Sequence, residues 1–119
     1  MTAGRYGSLR TLRKRSDFLH VQSKGCRAKG RHLVVLALRS QGPKGRVGFT
    51  VSKKVGGAVI RNRVRRQLRE LIRQGRVTLP DQHDVVIIAY PAAAGCTSTA
   101  LLRDLQKSLS RLSLSRPRV

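Results

Sequence analysis

The chain has 119 residues, with 26 Lys and Arg against 5 Asp and Glu, a formal charge of +21 with its three histidines neutral. That length fits one domain of roughly 14 Å radius of gyration and leaves too little chain for two ordinary cores. Apolar residues make up 39% and cluster in runs such as 33–38 and 85–89, which excludes a wholly disordered basic tail, while no run approaches the ~18 to 20 residues of a membrane span.

Residues 1–15 are basic and lack both helical periodicity and the apolar stretch of a secretion signal, so they read as a flexible arm, with Leu9 and Leu12 available for docking. Ser16 is placed to cap a first helix with Asp17 in its first turn and Phe18, Leu19 and Val21 on its apolar side; Lys24-Gly25 ends it. A short extended piece around Gly30 leads into Leu33-Val34-Val35-Leu36-Ala37-Leu38, and two strands are predicted. Gly42-Pro43-Lys44-Gly45 supplies a reversal. From Arg46 to Val51 the residues alternate, with Val47, Phe49 and Val51 on one side and Gly48, Thr50 and Ser52 on the other.

Gly56-Gly57 precedes the clearest helix. At 100° per residue, Ile60, Val64, Leu68, Leu71 and Ile72 fall in one arc of about 120°, with Asn62, Arg63, Arg65, Arg66, Arg69 and Arg73 opposite and Arg61 at the boundary. Gly75 ends it, and a polar turn around Pro80 precedes a buried strand over 84–90, stopped by Pro91. Thr97 or Ser98 caps a last helix whose core stripe is Leu101, Leu102, Leu105, Leu109 and Leu112. The order α-β-β-β-α-β-α predicts an α+β two-layer sandwich, a mixed four-stranded sheet packed with helices, comprising a single domain over 16–113 and a frayed basic tail over 114–119.

The residues offer little to protein-based catalysis. Asp17, Glu70, Asp81, Asp84 and Asp104 are scattered, whereas a two-metal nuclease site needs converging carboxylates. Asp17 and Asp104 suit helix starts, and Glu70 can pair with Arg66 one turn earlier. His20, His32 and His83 show no pairing, and Cys26 and Cys96, 70 residues apart, lack metal or redox spacing. Phosphate-loop and nucleophile-elbow motifs are missing.

What stands out is 19 Arg against 7 Lys, with seven Arg between Arg61 and Arg76 and Glu70 as the lone acid among them. Like charges at successive helical turns repel one another, so a polyanion is the expected partner, and arginine's planar fork suits phosphate. Tyr6, Phe18, Phe49 and Tyr90 are too few for an RRM stacking sheet. Phe49 belongs to a core face, whereas Phe18 can line a groove. Backbone contact is expected to dominate over base reading.

Residues 46–70, RVGFTVSKKVGGAVIRNRVRRQLRE, closely resemble the signature of the bacterial ribonuclease P protein family, including the Arg61-Asn62-Arg63 core of its RNR motif. The resemblance extends through residues 12–18 and 84–89. It implies the protein component of a ribonucleoprotein that cuts the 5′ leader from precursor tRNA, leaving a 5′ phosphate. Hydrolysis would fall to the RNA subunit and its magnesium ions, with no catalytic residue, metal site or cofactor in the protein. The implied partners are that RNA subunit and precursor tRNA, with no membrane and no protein partner, in the cytoplasm.

By the same resemblance, Arg61, Asn62, Arg63, Arg65, Arg66 and Arg69 would pack on the catalytic RNA. Phe18, Val34, Leu36, Thr50 and Lys54 would lie at a cleft for the single-stranded leader. Gln22 and Leu36 stand where relatives often carry aromatics, which implies weaker stacking and a different leader preference. The family's left-handed β-α-β crossover, against a right-handed rule obeyed in ~98% of such units, is implied by resemblance alone. A structural rRNA-binding ribosomal protein is the alternative.

Overall fold

The computed structural model describes residues 11, 12, 14–40 and 45–112. The expected N-terminal arm up to residue 10, the reversal at 42–44 and the tail after 112 lie outside them. The elements are α1 (Arg15–Lys24), β1 (Cys26–Lys29), β2 (Leu33–Arg39), β3 (Val47–Val51), α2 (Ala58–Arg73), β4 (His83–Ala89), a 3-10 turn (Pro91–Gly95) and α3 (Ser98–Arg111). The predicted order holds. The sheet is mixed, with strand order β1-β2-β4-β3, antiparallel except where β3 runs parallel to β4. α2 is the connection between those parallel neighbours.

Consecutive apolar residues in β2 and β4 require cover on both faces of the sheet. Leu33, Val35, Ala37, Val85, Ile87 and Ala89 face the larger core, closed by Val64, Leu68 and Ile72 of α2 and Leu101 and Leu105 of α3. Val34, Leu36 and Val86 face a smaller core, with Leu12, which precedes α1, and with Val21 of α1. The expected α+β fold, a mixed four-stranded sheet packed with helices, is present, with α2 and α3 on one face and α1 on the other. Each fully buried Leu, Ile or Val contributes about 1.5 to 3 kcal/mol.

The fold begins earlier than residue 16. Thr11 bridges Val47, Leu12 N–H donates to the Val47 carbonyl at 3.0 Å, and the Leu12 side chain is buried. Nor does Ser16 cap α1: Lys14 holds the cap position without a side-chain bond, and Ser16 lies inside the first turn. Asp17 in that turn is favourable to the helix dipole and is held by Arg46. The C-terminus of α2 closes as a Schellman motif: Gly75 takes φ 75°, its N–H reaches the Ile72 carbonyl, and Arg76 N–H reaches that of Leu71. Thr97 is the cap of α3, its Oγ1 accepting from Ala100 N–H at 3.1 Å.

Candidate RNA interface

Asp17, Glu70, Asp84 and Asp104 are held by partners within the chain. Asp84 accepts from Arg46 at Nη2 (2.9 Å), Nε (3.2 Å) and the backbone N–H (3.1 Å), and Arg46 Nη1 reaches on to Asp17 at 3.2 Å. The hydrogen bond to Asp84 raises the Arg46 pKa further, so this clamp between α1 and the β3-β4 end stays charged. Asp104 is buried in α3 and accepts the backbone N–H groups of Arg31 (3.0 Å) and His32 (2.8 Å). Glu70 pairs with Arg73, at 2.8 Å, rather than with Arg66, and that bond holds its carboxyl below the usual range. A pairing three residues onward places the carboxylate toward the C-terminal turn.

That arrangement decides the electrostatics of α2. Arg66 and Arg69 are exposed and make no ion pair or hydrogen bond with any described residue. Arg65 Nη1 donates to Asn62 Oδ1 at 2.9 Å, which holds both side chains on the same flank. On the opposite flank, Arg63 donates to the Ala94 carbonyl and Gln67 to Ser98 Oγ, so this side faces the 3-10 turn and α3. Arg61 is half-buried, with its Nε enclosed and unpartnered. The six residues singled out on this helix thus divide: Asn62, Arg65, Arg66 and Arg69 make an open cationic flank, Arg63 is tied inward, and Arg61 leans toward the core. Ile60, expected in the apolar stripe, is 37% exposed because it sits in the first turn, beyond the main contact.

The second group lies on the α1 face. Strand register places Val34, Ile88 and Thr50 in one row across β2, β4 and β3, and Leu36, Val86 and Gly48 in the next. α1 closes the latter row, and Leu36 is 0% exposed. Phe18 covers Gly48 so closely that a Cβ there would lie 2.6 Å from its ring. The former row is partly open: Ile88 and Thr50 are half-buried and Val34 is 6% exposed. Leu36 therefore supports the floor from beneath the helix, while Phe18 forms a wall and Lys54 is exposed in the turn after β3. Ile88 and Tyr90, absent from the sequence reading of the cleft, pack on this same face. Alternation onward from Val86 carries the signal for both.

A family model described as Ribonuclease P matches residues 8–113. The chain belongs to the ribonuclease P protein family. It is 43% identical over 111 residues to the ribonuclease P protein component of Streptomyces avermitilis, covering 85% of this chain and 89% of the relative. The Gluconacetobacter diazotrophicus component is 43% identical over 102 residues, covering 84% and 88%. Among solved structures, the Staphylococcus aureus RNase P protein superposes with a TM-score of 0.77 at 28% identity, covering 87% of this chain and 94% of that one. The Thermotoga maritima RNase P protein gives 0.73 at 28%, covering 85% and 96%. These matches set aside the ribosomal-protein alternative. For a ribonuclease P protein an RNA partner follows, and the open flank of α2 is a surface with the charge to meet one.

The remaining reactive groups stay quiet. Cys26 and Cys96 are free thiols, and burial raises the Cys96 pKa, disfavouring its thiolate. Among the described residues no three His, Cys, Asp or Glu side chains converge as metal ligands, and no helix is long and apolar enough to cross a membrane.

Proposed function

We propose that this chain is the protein subunit of a ribonuclease P ribonucleoprotein that removes the 5′ leader from precursor tRNA, with hydrolysis performed by the RNA subunit and its magnesium ions. The observation that carries this reading is the division of charge: the acids serve the fold, leaving Arg65, Arg66 and Arg69 of α2 available to an external polyanion. These arginines neutralise phosphates of the RNA subunit and so lower the repulsion between that RNA and its RNA substrate. In this reading magnesium is held by the RNA subunit. A cytoplasmic location belongs to the same proposal.

The row Val34, Ile88 and Thr50, with Phe18 and Tyr90 beside it, offers an apolar floor with few hydrogen-bonding groups. It suits single-stranded nucleotides held by stacking and by Lys54, without reading of base edges. Phe18→Ala is expected to weaken binding of leader-bearing precursor about 5- to 150-fold, the equivalent of ~1 to 3 kcal/mol for one stacked base, and to leave mature tRNA within twofold. Equal losses for both RNAs, in parallel titrations of the assembled holoenzyme, would remove Phe18 from the leader site.

Processing assays test the reading as a whole. At low magnesium, adding the chain to a bacterial ribonuclease P RNA is expected to restore precursor cleavage at the mature 5′ end, because bound arginines replace part of the counterion requirement. No stimulation at any protein concentration would contradict it.

A further inference from the structure

α3 carries a second set of cations with the same property as α2. Arg103, Lys107 and Arg111 recur every four residues, about 6 Å apart along the axis and within an arc of roughly 80°. All three are exposed. Arg103 and Lys107 have no partner among the described residues, whereas Arg111 donates to the Lys29 carbonyl at 2.9 Å and so ties the stripe to the edge strand β1. The acid beside them, Asp104, is spent on the backbone amides of Arg31 and His32, which brings the exposed Arg31 to the same flank. Like charges at i, i+4 spacing destabilise a free helix, and among the described residues no carboxylate pairs with these three side chains.

The stripe points away from the α2 interface. Gln67 of α2 bonds Ser98, and Gln106 of α3 donates to the Arg76 carbonyl just beyond α2, so these residues mark the flanks on which the two helices meet. The open cations of α2 and of α3 lie on the outer flanks. α2 packs against β3 and α3 against β1 and β2, toward opposite edges of a sheet whose outer strands are about 14 Å apart. One RNA helix docked along α2 therefore leaves the α3 flank free.

We propose that Arg31, Arg103, Lys107 and Arg111 form a second phosphate-binding face that takes an RNA duplex, so that one molecule bridges two RNA helical segments. Exposed guanidinium forks and an ammonium in one row suit a sugar-phosphate backbone and favour sequence-independent contact. The inference rests on the RNA-partner reading above. It does not depend on the leader cleft.

Native mass spectrometry of the full chain with a short blunt RNA duplex at low salt tests it. The wild type should take two duplexes per chain, Arg103→Gln/Lys107→Gln one, and Arg65→Gln/Arg69→Gln one. At duplex concentrations raised until the weakened site of the α3 variant fills, its binding should show a slope of log K against log salt lower by about 1.8 than the same site of the wild type, at ~0.9 per phosphate contact. Arg103→Lys/Lys107→Arg should retain both duplexes. A single duplex on the wild type, wild-type stoichiometry and slope in Arg103→Gln/Lys107→Gln, or loss of the second duplex in the charge-conserving variant would overturn the proposal. Displacement of only the second duplex by poly-glutamate at matched charge would overturn it too, by assigning the face to an acidic protein. Failure of the subunit reading would show separately, as absent stimulation of precursor cleavage.

Discussion

Replacing Arg65 and Arg69 together by Glu is expected to weaken assembly with the ribonuclease P RNA by about two to four orders of magnitude at low salt, from the loss of two charge-assisted contacts at ~1.5 to 3 kcal/mol each. The salt dependence should flatten as well, by about 1.8 in the slope of log K against log salt, since two phosphates no longer release counterions. Both side chains lie on the open flank of α2, so the fold should survive, and the far-UV spectrum should be unchanged. A uniform loss of affinity with an unaltered slope would mean that these arginines touch no phosphate. Arg63→Gln is the informative contrast, because its guanidinium bonds the Ala94 carbonyl and its loss should cost local packing more than RNA affinity.

Asp84→Ala should produce the largest effect on stability. It removes three hydrogen bonds to Arg46 and leaves that guanidinium with only Asp17, on a residue whose own side chain is just 9% exposed. Breaking a buried pair costs about 3 to 5 kcal/mol; the partial exposure of Arg46 reduces the figure here to about 2 to 4 kcal/mol. For a domain of this size that is a Tm lower by about 10 to 25 °C. Asp17→Ala should cost less than about 1 kcal/mol, because both members of that pair are about a third exposed. Melts must be compared at fixed phosphate concentration, since anions that bind the folded, cationic state raise its apparent stability. Equal destabilisation by the two variants would show that the clamp is not centred on β4.

Much of the architecture was legible because periodicity is a local signal. Val64, Leu68, Leu71 and Ile72 mark one face of α2 by spacing alone, and the leucines of α3 do the same. β2 was recognisable as a strand and β4 as one buried on both sides, yet the position of α1 on the second face was not, since α1 has a single buried residue, Val21, and a weak apolar side. The pairing of Glu70 with Arg73 rather than Arg66 depends on rotamers, to which sequence spacing is blind. The same holds for Arg46, whose contacts with Asp84 and Asp17 join residues 38 and 29 positions apart. Phe18 was readable as a groove-lining residue and Thr50 as part of a small polar strand face, their place at one cleft being implied by resemblance, while the closure of Leu36 beneath α1 and the place of Ile88 and Tyr90 required the strand register.

The division of labour between polypeptide and RNA is tested most directly by a cleavage assay on precursor tRNA with the purified chain alone, freed of nucleic acid by nuclease treatment and denaturing chromatography, then refolded. The account predicts no cut at the mature 5′ end at any magnesium concentration, and full activity on adding back the RNA subunit. Correct cleavage with multiple turnover by the RNA-free chain would contradict it.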